Sequence, residues 1–337
     1  MNIGNKGRGI LFTNPDPDQA RAFFRDKKSD ARSMKNKVVD LKSAISNYVH
    51  DGDYLAIGGF GANRTPLAAC HEIVRQKKKK LGFLGHTSTH DMQILSAGEV
   101  YDRIDVSYGV GLEARGLSRC SRAYMESGTV RVTEWTNYAL TARLRAASMG
   151  LPFMPVREML GTDTFAQSGA VQAACPFTGK PVALVPALYP DVAVIHVHEA
   201  DCFGNARFQG IAIADIELAH ASKRLIITTE KLVNHDEISR DPALTQIPFY
   251  LVDAVCEVPY GAYPGGMPYA YFSDEHHIRQ WLDAEKDPKT FRDFLDREIF
   301  GCKDHNDYLN LHGGLERMSA LRAEEFFLHK EDHHDGV

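Results

Sequence analysis

Cysteine is sparse in this sequence of 337 residues, and none of it is arranged for pairing. There is no C-x-x-C and no close pair, because the six cysteines are scattered: Cys70, Cys120, Cys175, Cys202, Cys256 and Cys302. This usage excludes a disulfide framework and a cysteine-based zinc site, and it predicts a reduced protein of the cytoplasm.

Long apolar runs and an excess of positive charge are also missing. No apolar stretch approaches the roughly 20 residues that a membrane span needs, and the opening MNIGNKGRGI does not resemble a secretion signal. The 39 Lys and Arg against 44 Asp and Glu give a net charge of −5. We therefore expect neither a membrane protein nor a nucleic-acid-binding protein.

What remains is ordinary globular composition in which short apolar strands alternate with amphipathic helices. This alternation predicts an α/β fold with an open, mainly parallel sheet and helices on both faces. Strands are predicted at 53–58, 81–84, 104–108, 129–133, 153–156, 191–197, 224–229 and 252–258. Helices are predicted at 65–79, 91–98, 118–126, 136–149 and 213–221, and the stretch 160–190 is interpreted as loop-rich.

The organisation along the chain suggests three parts. Residues 1–37 are predicted to form an arm, with a short helix near 19–27, that packs on the body or on a partner. Residues 38–312 are predicted to form the α/β domain, whose last part is helical. Residues 313–337 are predicted to be a charged helix and tail.

Glycine-rich and polar segments follow four predicted strands: GGFGANR (58–64), GHTSTHD (85–91), YGVGLEARG (108–116) and TEWTN (133–137). The carboxyl ends of parallel strands share one edge of a sheet, where ligands bind. These segments therefore predict a binding site along that edge. Glycines in the first segment allow a ligand to approach the backbone closely.

Three common kinds of site fit poorly. Arg64 stands where a dinucleotide fingerprint has its third glycine, and the chain has no G-x-S-x-G for a serine hydrolase. His196 and His198 share a strand face near Glu199 and Asp201, but the spacing fixes no third metal ligand. We expect no metal site and no tightly bound cofactor.

Several blocks resemble, in order, the alpha (A) subunit of family I CoA-transferases, particularly the glutaconate branch. The first is GDYLAIGGFGANRTPLAACHEIVRQ, which has the G-G-F-x-x-x-R-x-P loop. EWTNYALTARLRAASMGLP, HVHEADCFGNARFQG with its A-D-x-x-G-N, SKRLIITTEKLV, AVCEVPYGAYPGG and KDHNDYLN are similar to later blocks, so the resemblance spans about 37–312.

The resemblance implies a three-layer α/β/α fold, related to sugar-phosphate isomerases and transcription-sensor domains, and a covalent mechanism. In this family a glutamate attacks an acyl-CoA, and the resulting glutamyl-CoA thioester is passed to an acceptor carboxylate. That glutamate lies in the beta (B) subunit in S-E-N-G or E-x-G-x-x-G, and neither pattern occurs here. We interpret Glu99 and Glu113 as surface carboxylates.

The resemblance therefore implies a hetero-oligomer in which this chain supplies one wall of the site, with coenzyme A as a co-substrate. Gly59, Phe60 and Gly61 are expected to shape the acyl pocket and to offer backbone donors. Arg64 is expected either to hold a substrate carboxylate or to form a structural ion pair.

Ser88, Thr89 and His90 are expected to face substrate at the next strand end. The glutaconate enzyme has glycine and alanine around an aspartate there, whereas this sequence has bulkier, hydrogen-bonding residues. The acyl group is accordingly left open between monocarboxylic and dicarboxylic acids.

Glu134 ends a predicted strand at the same edge and is interpreted first as a structural carboxylate. Two-subunit hydrolases of the ring-opening type share this fold, and an acyl-CoA or C–C hydrolase is the alternative enzyme. In that alternative Glu134 would act as a general base. A ligand-sensing domain is the non-enzymatic alternative.

Overall fold

The computed structural model describes residues 3–26, 30, 32–109 and 116–326. Its first half runs β1 (Ile3–Lys6), α1 (Pro17–Asp26), α2 (Leu41–Tyr48), β2 (Tyr54–Ile57), α3 (Leu67–Arg75), β3 (Leu81–Gly85), α4 (His90–Ala97), β4 (Tyr101–Val106), α5 (Arg119–Glu126), β5 (Arg131–Glu134), α6 (Asn137–Ser148), β6 (Phe153–Val156), α7 (Asp163–Gln167), β7 (Val171–Ala174) and β8 (Pro181–Pro186).

The second half continues with β9 (Val192–Ala200), β10 (Ala206–Arg207), α8 (Asp215–Ala221), β11 (Arg224–Leu232), α9 (His235–Arg240), β12 (Ala254–Glu257), α10 (Glu275–Ala284), α11 (Pro288–Leu295), α12 (His305–Leu311) and α13 (Gly314–Glu325). A π-helical turn, Asp296–Phe300, follows α11. None of the helices in the described residues is both long and apolar enough to span a bilayer.

The main sheet has the strand order β12-β11-β9-β2-β3-β4-β5, with β10 beside β9. All neighbours on that path run parallel, and only β10 is antiparallel. This arrangement confirms the predicted α/β class and the mainly parallel sheet.

The two faces of the sheet are covered by separate apolar clusters, as period-two alternation requires. In β2, Leu55 belongs to the cluster under α3, α4 and α10, whereas Ala56 belongs to the cluster under α6 and α8. Val194 and Ile195 of β9 divide between the faces in the same way. Helices on both sides of the sheet give three layers.

The stretch 160–190 is not loop-rich, and that prediction was wrong. Residues 171–174 and 181–186 form β7 and β8, and a second, antiparallel sheet has the order β1-β7-β8-β6. The predicted strand at 153–156 exists, but it is β6 of this second sheet. The strand signal in this stretch is weak, because glycines and prolines flank the strands and β7 has the sequence VQAA, with small residues.

The amino-terminal segment adds a strand that the sequence analysis did not predict. β1 pairs with β7, and the amide of Gly7 donates to the carbonyl of Ala170 at 2.9 Å. Thr133 in β5 bonds both backbone groups of Ile10 through its hydroxyl. Residues 3–10 thus pack on the body, and the predicted short helix is α1.

Candidate active site

The main sheet reverses its winding between β2 and β9. β3, β4 and β5 lie on one side of this pair, and β11 and β12 lie on the other. In open parallel sheets, ligands bind beyond the carboxyl ends of the strands at such a reversal. Ile57, at the end of β2, pairs with Val194, whereas β9 continues to Ala200. The loop 58–64 therefore lies beside the extended end of β9.

The loop 58–64 is closed on itself by backbone hydrogen bonds. Phe60 and Asn63 exchange N–H···O bonds of 2.9 and 3.0 Å. Gly59 has φ +85°, and a Cβ there would lie 2.7 Å from backbone atoms of Asn63, Arg64 and Thr65. Only glycine fits this close approach.

Gly61 differs from Gly59 in its surroundings. It has φ +61° and is buried, yet a Cβ there would meet no atom within 4 Å. Its carbonyl accepts from the hydroxyls of Thr65 and Thr89, and its amide donates to Thr87. A small space therefore adjoins a backbone that is firmly held.

Most backbone donors of this loop already have acceptors. Gly59 N–H donates to Asp215 at 2.8 Å, Phe60 N–H to Asn63, and Gly61 N–H to Thr87. Each would have to give up a bond to serve substrate. Among the described residues nothing accepts from the amide of Ala62, so that donor is the available one in the loop.

Arg64 forms a buried ion pair. Its guanidinium is 0% exposed, and Nη2 lies 2.6 Å from Oδ2 of Asp215. The same group bonds the carbonyls of His196 and Ile211 and stacks over Phe208 at 4.4 Å. Of the two roles expected for Arg64, this arrangement is the structural ion pair. A role in holding a substrate carboxylate would require the pair with Asp215 to open.

The loop after β3 turns its polar side chains inward. Ser88 donates to Oδ2 of Asp91 at 2.9 Å, and the amide of Thr89 donates to Oδ1 at 2.7 Å. Burial raises the pKa of Asp91, although these bonds oppose the shift. Ser88 and Thr89 thus hold the loop, and the hydroxyl of Thr89 also bonds Gly61 in the loop after β2.

His90 begins α4 and points into the protein interior. Its Nδ1 lies 2.6 Å from Oε1 of Gln93, and its ring packs edge-on against Trp281 of α10 at 4.8 Å. At 4% exposure it would need a rearrangement to reach a substrate. In this structure it joins α4 to the carboxy-terminal helices.

Asn137 connects its own loop to the ends of β3 and β4 and was not singled out from the sequence. Its side-chain oxygen accepts from Thr87 and from Ser107, which follow β3 and β4. Its carbonyl bonds Nε2 of His86, whose ring lies 6.2 Å from Phe60. Burial lowers the pKa of His86, so a neutral imidazole borders the loop 58–64.

Glu134 lies apart from this cluster. It ends β5, the edge strand, which is three positions from β2 and hence about 14 Å away at normal strand spacing. Its side chain is exposed. Glu113 of the third loop lies outside the described residues.

The histidines of β9 are engaged in hydrogen bonds rather than gathered around one point. His196 is fully buried, with Nδ1 on Thr228 and Nε2 2.7 Å from Oε1 of Glu230. Burial alone would raise the pKa of Glu230. Bonds from His196, Tyr271 and the amide of Tyr260 outweigh burial and lower it.

His198 and Asp201 belong to two further networks. His198 bonds the carbonyl of Pro268 and accepts from the amide of Gln209. Asp201 accepts three amides of the turn that follows it, together with Asn205 and His235. The two histidines of β9 and Asp201 thus do not converge on one point.

Two carboxylates of this region, Asp215 and Glu230, were missed by sequence reasoning. Asp215 opens α8, and an acidic residue in a first helical turn is a usable signal for a helix start. Nothing in the sequence, however, pairs it with Arg64, 151 positions away.

A sequence model described as Coenzyme A transferase matches residues 38–258. The alpha (A) subunit of glutaconate CoA-transferase from Acidaminococcus fermentans is 34% identical over 306 residues, which cover 86% of this chain and 95% of that protein. A solved glutaconate coenzyme A-transferase from the same organism superposes with TM-score 0.81 and 32% identity, covering 85% of this chain and 95% of that one.

Other similar proteins are named for different activities. A variant of the decarboxylase AibA/AibB, whose crystal structure is known, matches with TM-score 0.70 and 32% identity, covering 78% and 98% of the two chains. The cholesterol ring-cleaving hydrolase IpdA subunit of Rhodococcus jostii is 27% identical over 285 residues, which cover 81% of this chain and 95% of that protein.

The chain belongs to the coenzyme A transferase family, and the expected resemblance to the alpha chain of glutaconate CoA-transferase is confirmed. The matched region contains β2, the loop 58–64 and the whole path from β3 to β12.

Proposed function

We propose that this chain is the alpha (A) component of a two-subunit CoA-transferase that moves CoA between an acyl-CoA and a monocarboxylic or dicarboxylic acid. The subunit names of the relatives support a beta (B) partner. One observation supports the assignment of the attacking carboxylate to the partner: the two carboxylates that hydrogen-bond the loops around Gly61, Asp91 and Asp215, are unavailable. Asp91 and Asp215 are buried, and each accepts at least two hydrogen bonds.

The attacking carboxylate therefore comes from the partner. Its oxygen attacks the acyl-CoA carbonyl, forming a mixed anhydride and CoA thiolate. The thiolate attacks the glutamyl carbonyl, which gives the glutamyl-CoA thioester and frees the first carboxylate. The acceptor acid then attacks this thioester, and the same two steps in reverse order release the new acyl-CoA.

This chain contributes the wall around Gly61. The space beside Gly61 accommodates the acyl carbonyl, and the available amide of Ala62 donates to the oxygen on which negative charge develops. The neutral His86 and the ring of Phe60 border the same loop and exclude water from it.

Joint expression with the partner tests the proposal. The chain is combined with a beta-like chain encoded by a neighbouring gene, incubated with an acyl-CoA and treated with borohydride. Mass spectrometry should find the reduced label on a glutamate of the partner, and the chain alone should show no turnover. Full thioester turnover by the purified chain alone would overturn the proposal.

The hydrolase alternative gives a different result in the same assay. Hydrolysis by a general base produces no borohydride label, and it requires Glu134. The exposed position of Glu134 on the edge strand gives that alternative little support.

A further inference from the structure

Three potential metal ligands come together in the carboxy-terminal helices, outside residues 38–258. α10 supplies His277, the π-helical turn supplies Glu298, and His312 directly follows α12. One nitrogen or oxygen atom of each lies within 4.8 Å of the others. His277 and Glu298 are almost completely buried, and His312 is half-buried.

The π-helical turn places the carboxylate. Such turns insert an extra residue into a helix and are frequent at functional sites. Here the turn leaves Glu298 fully buried, although both neighbours in the chain project differently: the side chain of Arg297 is 57% exposed, whereas Ile299 packs in the core under α3.

Neighbouring rings fix the orientation of His277. Tyr263 stacks on it with centroids 5.8 Å apart and planes at 6°, and Phe294 stacks with centroids 6.3 Å apart and planes at 23°. The ring of His312 lies 3.9 Å from that of His277. Ligand side chains locked by packing in this way lose little freedom on binding a metal.

The two oxygens of Glu298 have separate roles. Arg297 donates two hydrogen bonds to Oε1, at 2.6 and 3.0 Å. Oε2 bonds Nε2 of His312 and lies 3.9 Å from Nε2 of His277. Oε2 therefore faces both imidazoles while Arg297 holds the other oxygen, which is how carboxylate ligands are commonly supported in metal sites.

We propose that His277, Glu298 and His312 bind one Zn²⁺ ion, with the fourth position next to the hydroxyl of Tyr308. Two imidazoles and one carboxylate are a common zinc set. Zinc–ligand bonds of about 2.1 Å separate tetrahedral ligand atoms by about 3.4 Å. Small movements suffice, since His312 must move away from Oε2 and His277 must approach it from 3.9 Å.

Binding changes the hydrogen bonds of both histidines. Nε2 of His312 gives up its bond to Glu298, and the hydroxyl of Tyr308, now 2.7 Å from Nε2 of His277, turns toward the ion or a bound water. Nδ1 of His277 is buried without an acceptor among the described residues. Zinc affinity should therefore be lower than in sites where this nitrogen donates to a carboxylate.

The role of the ion is to tie α10, the π-helical turn and α12 together. This part of the chain carries the small core formed by Tyr263, Tyr271 and Tyr308, which adjoins Glu230 through Tyr271. The proposal concerns stability of this region and is independent of the proposed transfer reaction.

Zinc content tests the proposal directly. The full chain is stripped with a chelator and equilibrated with Zn²⁺, and zinc per chain is measured by mass spectrometry. Glu298→Gln and His312→Gln should each bind one zinc fewer than the unchanged protein. His276→Ala is the matched control, because His276 is the exposed neighbour on α10, and it should bind as the unchanged protein does.

Arg297→Met adds a second test, because it removes the two hydrogen bonds to Glu298 and leaves all three zinc ligands in place. It should weaken zinc binding about tenfold to a hundredfold and keep the stoichiometry at saturation. The histidines near the end of the sequence, His329, His333 and His334, are unchanged in all variants and contribute equally to their zinc content. Equal zinc content in the unchanged protein and both ligand variants would overturn the proposal.

A spectroscopic measurement on the unchanged protein covers the case in which the ligand variants fail to fold. Co²⁺ added to the stripped chain should give the intense visible absorption of a four-coordinate site at one ion per chain, and Zn²⁺ should abolish it. Absence of that spectrum would also overturn the proposal.

Discussion

The two flanks of the sheet reversal hold their polar groups in different ways. On the β2–β3 flank, the hydroxyls of Thr65 and Thr89 hold the carbonyl of Gly61, and a space adjoins that glycine. On the β9–β11 flank, His196 and Glu230 are closed off by hydroxyl groups of Thr228 and Tyr271. His196, which attracts attention in the sequence, and Glu230, which does not, both stabilise the fold here. The room for a ligand lies beside Gly61, a residue without a side chain.

The pair of Arg64 and Asp215 joins the two flanks, so breaking it should have the largest effect. Asp215→Ala leaves a buried guanidinium without its carboxylate and removes the acceptor of Gly59 N–H. We expect a loss of about 3–5 kcal/mol in the free energy of unfolding, measured by urea titration.

The pair of Arg145 and Glu217 at the protein surface is the control, with side chains 49% and 18% exposed. Glu217→Ala should cost less than about 1 kcal/mol. Similar losses for both variants would contradict the structural role of the buried pair.

The two glycines of the loop 58–64 should differ although both have positive φ. Gly59→Ala forces a Cβ to within 2.7 Å of three backbone atoms and should cost about 2–4 kcal/mol. Gly61→Ala carries only the conformational strain, about 1–2 kcal/mol, because its Cβ meets nothing within 4 Å.

Activity separates the same two variants further. With the partner present, Gly61→Ala should impair transfer more than its small loss of stability explains, because the methyl group occupies the space beside the loop. Unchanged kcat/KM for a folded Gly61→Ala would show that substrate does not use this space.

The stability that the β9–β11 flank contributes should depend on pH. Because the pKa of Glu230 lies below its ordinary value of 4.5, its network stabilises the fold above that pH and loses its contribution as the pH falls through the lowered pKa. Tyr271→Phe removes one donor to the carboxylate and should cost about 2 kcal/mol at pH 7.

The difference in the free energy of unfolding between the unchanged protein and Tyr271→Phe should shrink below pH 4.5. Part of it should remain, since the amide of Ala262 also loses its acceptor, the hydroxyl of Tyr271. Unfolding curves from about pH 3 to about pH 8 would measure both parts. A pH-independent difference would show that Glu230 is not held by Tyr271.

Glu134 should give the smallest effect. Glu134→Gln changes an exposed side chain at the edge strand and should alter stability by less than about 0.5 kcal/mol. Transfer by the complex with the beta partner should stay within about twofold. Loss of activity with an intact fold would favour the hydrolase alternative.

The centre of the main sheet was predictable because β2, β3, β9 and β11 each contain a short apolar run, and these runs alternate with helical segments. Of the second sheet only the strand β6 was predicted. Half of β7 is alanine, and β1 pairs with it at a long sequence separation, with Ile3 opposite Ala173. Long-range pairing of this kind leaves no local pattern.

The loops of the site were predictable as a group, and their contacts were not. The sequence indicates that 58–64, 85–91 and 133–137 meet at one edge, and Asn137, in the last of them, bonds Thr87 and His86 of the second. It does not reveal that His90 faces Trp281 or that Arg64 meets Asp215. Those contacts depend on the direction in which each side chain projects from its turn.

The strand β1 also has a practical meaning for handling this protein. It covers an edge of the antiparallel sheet, where Val171–Ala174 would otherwise present unpaired amides and carbonyls. Bare strand edges recruit strands from other molecules. Shortening the chain by a dozen residues at its start would therefore move the open edge of this sheet from the outer side of β1 to β7.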